Sequence, residues 1–444
     1  MQSPKVIKFN NIDFKNIVNN LGPEVRLSSM IAEPEMSLGF HYFLHRTKRK
    51  MKITNELETK DKFYYILNPF EIDATLKDKT KEFLKFTKDT PNILSRAFYK
   101  QWEINTVFNL LDKDKLIYSA LAEGPGSFLQ ANLHYREMYY STKNDKYFAV
   151  TIHPEDGQNI QVAKNFLGYY KKEHPNLIKL HKTYKKVTAD KHKSKDNGDI
   201  TNISTISNFK KDLTKDKKTA NLVTGDGGFK WLDEVYQEQE SYPLIIGQIL
   251  AGLTTLDKDG HLVIKFFETF TTVSCKLVYL VSSLFEETYF YKPFFSRKSN
   301  SEKYLIAKHL KFKNSDKELS VVLTLLSEIL QKFNGDKYIT NIFPKMELPY
   351  QFLNQMRVIN IQIANEQQKI INNIINYINE NNYFGEKYHM YLSQHNEAIK
   401  FWINNFLFEK SKQKDTIAHW DKILKKILVS QEEEVETLAK ELTL

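Results

Sequence analysis

The sequence predicts an α/β chain built on a central, mostly parallel sheet flanked by helices, with an N-terminal extension and a helical C-terminal region. Three observations predict it. Short apolar runs that end in small or acidic residues, "KLIYSALAEGPGSF", "KYFAVTIH", "TANLVTGDGGF" and "GHLVIKFFETF", alternate with longer amphipathic stretches, the texture of strand–helix units. Within the last of these, Leu262, Val263, Ile264, Phe266 and Phe267 run without polar alternation, as in a strand covered on both faces. Beyond about residue 320 the apolar period changes: "LSVVLTLLSEILQKF" and then Ile370, Ile371, Ile374, Ile375 and Ile378 recur at helical spacing.

In chain order, residues 1–88 read as a mixed extension carrying "HRTKRKMK" at 45 to 52, either a solvated face or a nucleic-acid contact. Residues 89–318 hold the strand–helix units, interrupted at 171 to 195 by a lysine- and histidine-rich segment with too few apolar residues to pack, an exposed loop that could line a polyanion groove. Residues 319–444 are mainly helical and end in an amphipathic stretch that is acidic at "QEEEVE". That tail reads first as a helical cap on the sheet, with an RNA or protein-partner surface as the alternative. The chain has 444 residues, 41% of them apolar, with thirty Phe and twenty-four Tyr, enough for a sizeable core. Sixty-four Lys and Arg against fifty-four Asp and Glu leave a net +10, which favours an anionic partner. A single cysteine, Cys275, excludes an internal disulfide and a cysteine zinc cage, so a reducing compartment and no structural metal are expected. "MQSPKVIKFNNIDF" has no signal-peptide core, and "CKLVYLVSSLF" is too short for a bilayer, so a soluble protein off the membrane is expected.

Two corners and one lysine carry the chemistry. "AEGPGSF", Ala122 to Phe128, follows the run "LIYSAL" and opens a helix. Gly124 and Gly126 allow a tight turn there and let a ligand approach the backbone at the helix's positive end, where a doubly wound sheet binds nucleotide-like cofactors. The Lys-Ser/Thr ending of a P-loop is absent. "NLVTGDGGF" repeats the design, with Asp226 at the carboxyl end of a strand, either aimed into the ligand crevice or serving an Asx-turn. Lys265 ends the next strand, so in a parallel sheet it emerges at the same rim as Asp226 rather than in the core. The plainer reading is a lysine snorkelling from an edge.

These stretches, taken in order, resemble a known family. "SRAFYKQWE" (95 to 103), "AEGPGSF", "GDIT" (198 to 201), "VTGDGGF", "DGHLVIKFFETFT" (259 to 271) and "KPFFSRKSNSEKYLIA" (292 to 307) have the order and approximate spacing of the FtsJ-like ribose 2′-O-methyltransferases. The corner and lysine-strand motifs are most similar to the messenger-RNA cap members. The resemblance covers about 90 to 312, with fainter echoes in "NPFE" (68 to 71) and "NIFPKMELPYQFLNQM". It implies a Rossmann-like S-adenosylmethionine-dependent methyltransferase fold and a catalytic tetrad of Lys100, Asp226, Lys265 and Glu302. It also implies S-adenosyl-L-methionine as the methyl donor, leaving as S-adenosyl-L-homocysteine. The candidate cofactor contacts are Ala122, Glu123, Gly124, Pro125, Gly126, Ser127 and Phe128, with Asp199 at the adenine edge and Asp226 near the methionine end. Ser127 and Glu123 depart from the common pattern, and ribose recognition is left open between His153, Glu155 and other groups.

The chemistry agrees with the assignment. Methyl transfer to a ribose hydroxyl needs a nearly deprotonated oxygen and therefore a positioned base. An ordinary lysine is protonated near neutrality, but desolvation and a second ammonium both disfavour its charge. In this reading Lys265 is the base, Lys100 the second ammonium, and Asp226 and Glu302 orient the two. No metal is needed. Arg96, Ser296, Arg297 and Asn300 are the candidate RNA contacts, with Lys298 a further phosphate ligand. The expected enzyme is a cap-specific messenger-RNA ribose 2′-O-methyltransferase acting on the first or second transcribed nucleotide, in the cytoplasm, the nucleus or, if viral, a replication site. The alternatives are a ribosomal- or transfer-RNA 2′-O-methyltransferase and a non-catalytic RNA-binding subunit of the same fold.

Overall fold

In a computed structural model the chain is described except for residues 1–3, 37, 52, 54–67, 155–160, 176, 186–194, 216–218, 230–235, 334, 336, 381–383 and 442–444. The extension supplies β1 (Lys5–Phe9), α1 (Lys15–Val18), β2 (Val25–Ser28), α2 (Leu38–Arg49) and α3 (Ala74–Phe83). Next come α4 (Ala97–Phe108), β3 (Ile117–Leu121), α5 (Ser127–Tyr139), β4 (Lys146–Val150), α6 (Lys164–Glu173) and β5 (Ile178–Leu180). The second half of the alternation is α7 (Ile203–Thr214), β6 (Ala220–Gly225), α8 (Gln237–Glu240), α9 (Tyr242–Thr255), β7 (Leu256–Phe266), α10 (Thr272–Leu284), β8 (Phe285–Lys292) and β9 (Lys303–Leu310). The tail holds α11 (Lys317–Lys332), β10 (Tyr338–Ile342), α12 (Tyr350–Glu380), α13 (Glu386–Phe406) and α14 (Gln413–Glu441).

The main sheet has eight strands in the order β1-β8-β9-β7-β6-β3-β4-β5. The five from β5 to β7 are parallel, β9 runs antiparallel between β7 and β8, and β1 is antiparallel to β8. From β3 the chain winds outward through β4 to β5, then restarts at β6 and winds the other way. The switch point therefore lies between β3 and β6, where an open α/β sheet leaves a crevice beyond its strand ends. The apolar run of β7 is buried from Gly260 to Phe266, as its lack of alternation predicts.

Helices cover both faces. One face buries α7, α9, α10, α11 and α12, through side chains such as Phe209, Ile249, Leu277, Leu326 and Ile359. The other is aromatic and buries α4, α5, α6, α13 and α14, through Trp102, Tyr135, Phe166, Trp402 and Trp420. Burial of large apolar side chains stabilises such layers by about 1.5–3 kcal/mol each. The tail is therefore part of the core. Trp102 donates to the Phe406 carbonyl at 2.7 Å, Tyr139 to that of Phe408 at 2.8 Å, and Trp402 to the Glu103 carboxylate at 3.2 Å. The extension is woven in likewise: β1 completes the main sheet, and β2 pairs with β10 of the tail in a second, two-stranded sheet. The tail beyond 320 is mainly helical, as expected, and adds β10, a five-residue strand whose pairing partner lies more than 300 residues away. Among the described residues no helix is long and apolar enough to cross a membrane.

Candidate active site

The crevice beyond β3, β6 and β7 is built from three strand ends. After β3 the chain turns through Ala122 to Gly126, where Gly126 takes φ +108° and a Cβ would meet Val162 at 3.0 Å, a geometry that calls for glycine. After β6 it turns at Asp226, and the Gly227 amide is held by Gln248 at 2.9 Å. Together these corners line a cavity of about 230 Å³ with Ser95, Ala97, Ala122, Glu123, Gly124, Pro125, Ser127, Phe128, Asp226, Gly228 and Lys265. Six of the seven residues expected from 122 to 128 face it. The seventh, Gly126, shapes the turn. Asp199 stands outside this lining, its carboxylate taken by the amide and hydroxyl of Thr201 at 2.9 and 2.8 Å. His153 contacts Thr183 at 3.1 Å, and Glu155 lies outside the described residues.

Four ionisable side chains from four elements come together here, Asp226 and Lys265 in the cavity lining and Lys100 and Glu302 behind them. Lys265, at the end of β7, donates to the Asp226 carbonyl at 2.9 Å and lies 3.1 Å from its carboxylate. Its ammonium also sits 5.5 Å from the centre of the Phe267 ring. Gly228 makes room for it, since a Cβ there would stand 3.3 Å from Nζ. Lys100, from α4, lies 2.5 Å from Glu302, which immediately precedes β9. Tyr304 joins the two pairs: its hydroxyl donates to Asp226 at 2.9 Å, and Lys100 stands 6.0 Å from its ring centre. The arrangement is an alternating-charge quartet in which every member keeps a contact to the opposite sign.

Its electrostatics follow from burial and pairing. Desolvation opposes the charge of Glu302, but Lys100, then Lys265, and a hydrogen bond from Ser296 outweigh it and hold the carboxyl well below the usual range. Glu123 is the opposite case. Buried at the cavity wall, it accepts from the Leu129 amide at 2.8 Å. Burial, assisted by nearby Asp226, still pushes its carboxyl up to about 8. From the turn before α5 this carboxyl bonds the helix's first turn, at its positive end.

The candidate RNA contacts already have partners within the chain. Arg96 and Arg297 both reach Glu71, at 2.7 and 3.4 Å. Ser296 bonds the Glu302 carboxylate, and Asn300 accepts from buried Lys292 at 3.0 Å. Glu71 is thus a clamp on two candidate phosphate ligands, and its only sequence signal was the faint "NPFE". Tyr304 follows the tetrad carboxylate Glu302 by two residues, and its approach to Asp226 on a neighbouring strand end has no local mark in the sequence beyond that spacing. Glu268, three residues after Lys265, gave no signal at all, because its partners come from α2.

Residues 93–310 match the profile described as FtsJ-like methyltransferase. The chain is 28% identical over 272 residues to the African swine fever virus (isolate Pig/Kenya/KEN-50/1950) protein named "Probable methyltransferase EP424R", covering 61% of this chain and 60% of that one. It is 42% identical over 118 residues to the Homo sapiens "Cap-specific mRNA (nucleoside-2'-O-)-methyltransferase 1", covering 26% of this chain and 14% of the relative. The matched stretches thus span 60% and 14% of these relatives' own lengths. A solved S-adenosylmethionine-dependent methyltransferase from Clostridium acetobutylicum is similar at 13% identity with a TM-score of 0.21, over 52% of this chain and 80% of that one. The family implies S-adenosyl-L-methionine as cofactor, and the cavity suits it: a cationic sulfonium and ammonium would face the carboxyls of Glu123 and Asp226 across a glycine-rich turn. Residues 93–310 of this chain are an FtsJ-like methyltransferase domain.

Proposed function

We propose that the chain is a cap-specific messenger-RNA ribose 2′-O-methyltransferase, acting on the first or second transcribed nucleotide. The observation that carries the proposal is the meeting of Lys100, Asp226, Lys265 and Glu302 beside the cofactor cavity. The 42% identity with a cap-specific methyltransferase over 118 residues supports the choice of acceptor.

The bound cofactor supplies a methyl on a sulfonium sulfur, open to in-line displacement. In this reading Lys265 lies at the cavity wall, within reach of a ribose entering over the rim, and accepts the 2′-hydroxyl proton as the oxygen attacks. Asp226 aims the lysine through its carbonyl and carboxylate, and Tyr304 holds Asp226. Lys100 and Glu302 form the second pair and fix the far side of the acceptor oxygen. General-base action contributes about 10²–10⁴-fold, so the remainder comes from alignment of oxygen, methyl and sulfur by the two glycine corners and the charge quartet.

The test is transfer of a labelled methyl from S-adenosyl-L-methionine to matched capped and uncapped transcripts, followed by nuclease digestion. The expected outcome is a 2′-O-methyl mark on the first or second transcribed nucleotide of the capped RNA alone. Equal transfer to both transcripts assigns the chain to the ribosomal- or transfer-RNA class. A methylated base overturns the reaction. Cofactor binding without transfer to any RNA makes the chain a binding subunit.

A further inference from the structure

Helix α2 lies outside the matched family region and has two unlike faces. Its inward face carries His45 and Lys48, both buried, on the two oxygens of Glu268 at 2.7 and 2.9 Å, and His41 stands 3.7 Å from the same carboxylate. Burial opposes the Glu268 charge, yet Lys48 and then His45 hold the carboxyl well below its usual range. His41, His45 and Glu268 are ligand types that suit a metal ion, but the Lys48 ammonium on the same carboxylate already balances its charge. The cluster is an anchor. Glu268 follows Lys265 by three residues, so the anchor sits about 10 Å along the chain from the proposed base.

The outward face is the reverse of a normal surface helix. Leu38, Tyr42 and Phe43 are 51%, 62% and 55% exposed, and Arg46, Arg49 and Lys50 are exposed beside them. Leu38, Tyr42, Arg46, Arg49 and Lys50 follow each other at helical spacing and share one side. The Tyr42 and Phe43 rings meet edge to face, 5.7 Å apart. The helix "LGFHYFLHRTKR" contains no acid. Two large aromatic planes left in water cost hydration free energy and stabilise nothing inside the fold, whereas aromatic rings interleaved with cations are what single-stranded nucleic acid binds, by stacking on the rings and by phosphate contacts to the cations. An acidic or apolar protein partner would use either the cations or the rings; a single-stranded polynucleotide uses both.

We infer that the outer face of α2 is a stacking platform for a single-stranded segment of the acceptor RNA, fastened by the Glu268 anchor to the strand that carries Lys265. The inference rests on the acceptor being RNA, as proposed above, and extends that reading to the part of the transcript lying away from the reacting ribose. Capture of the strand and presentation of its 2′-oxygen are then joined by one helix.

The experiment measures binding apart from transfer. Anisotropy of a labelled single-stranded oligoribonucleotide is followed across a salt series for the full chain, for Tyr42→Ala with Phe43→Ala, and for Arg46→Ser with Arg49→Ser. The aromatic pair should weaken binding about tenfold or more at every salt concentration. The arginine pair should reduce the slope of log Kd against log salt by about 1.4. Tyr42→Trp should bind as the native chain does. Cofactor affinity and thermal midpoint should not move, because all four side chains are exposed, and a dinucleotide acceptor too short to reach α2 should be methylated equally by every variant. Native RNA affinity in both double variants overturns the inference while leaving the proposed reaction intact. RNA binding through this face with no methyl transfer to any acceptor leaves the platform standing and sinks the reaction.

Discussion

The two halves of the rim are built differently. The cofactor half is local: the turns after β3 and β6 form its wall, Gly126 and Gly228 supply conformation and space, and its hydrogen bonds come from Gln248, Leu129 and the turns themselves. The acceptor half is held from a distance. The segment that follows β7 is gripped by Lys303 on the Phe267 carbonyl, by Asn360 of α12 on that of Thr269 at 2.7 Å, and by the Met36 amide on that of Phe270 at 3.1 Å. Glu238 takes the amides of Phe270 and Thr271 at 3.0 and 2.9 Å, and α2 holds Glu268. The difference teaches that the extension and the tail serve the lysine side of the site, so damage to them should separate catalysis from cofactor binding.

The largest test of that separation is Lys265→Ala. It should lower kcat by at least about 10³-fold, the range of a lost general base with some lost alignment, while the cofactor Kd measured by calorimetry stays within about threefold. A comparable loss of cofactor affinity would make the lysine a wall of the cofactor half and erase the distinction. Next comes Glu268→Gln. It leaves Lys48 buried without its charge partner and should cost about 3–5 kcal/mol of stability, read from denaturant unfolding. At a temperature where the variant is still folded, kcat should fall and cofactor affinity should not. Asn360→Ala removes a reciprocal pair, since Thr269 also donates to Asn360 at 2.6 Å. Its cost is about 1–3 kcal/mol, with a several-fold fall in kcat and the same unchanged cofactor Kd.

The same division decides what the sequence could reveal. Strands and corners of the cofactor half are encoded contiguously: "LIYSAL" followed by two glycines, and "NLVT" followed by Gly-Asp-Gly-Gly, state both the strand and the turn that ends it. The positions of Asp226 and Lys265 at one rim follow from parallel register alone. Lys100 and Glu302 needed the family resemblance, because nothing within twenty residues of Lys100 says that α4 packs its lysine against the start of β9. Glu268 and Asn360 were silent because their clamps are relations between segments more than ninety residues apart, and neither partner carries a local mark of it; Glu71 left only the faint "NPFE", which does not say that Arg96 and Arg297 converge on it. The pairing of β2 with β10 escaped for the same reason. Glu123 was noticed as a departure from pattern, but its charge state depends on a burial that composition does not disclose.

Glu123 also supplies the smallest and most discriminating test. Its folded carboxyl titrates near 8 because it is buried, against an ordinary glutamate near 4.3. Between those values the unfolded chain has released the proton and the folded chain keeps it, so this group makes stability fall as pH rises through the window and then level off above about 8. Glu123→Gln removes the titration and keeps an oxygen for the Leu129 amide. The variant should match the native chain near pH 4.5 and be the more stable of the two at pH 8, by calorimetry. A cationic ligand beside the carboxyl favours its ionised form, so native affinity for the cofactor should tighten by about three- to tenfold from pH 6.5 to 8.5, and the variant's profile should be flat over that range. Methyl transfer at saturating cofactor should be the same for both chains. If Glu123→Gln instead lowers kcat at saturation, the carboxyl reaches the reacting oxygen as well as the donor, and the rim is one coupled field rather than two halves.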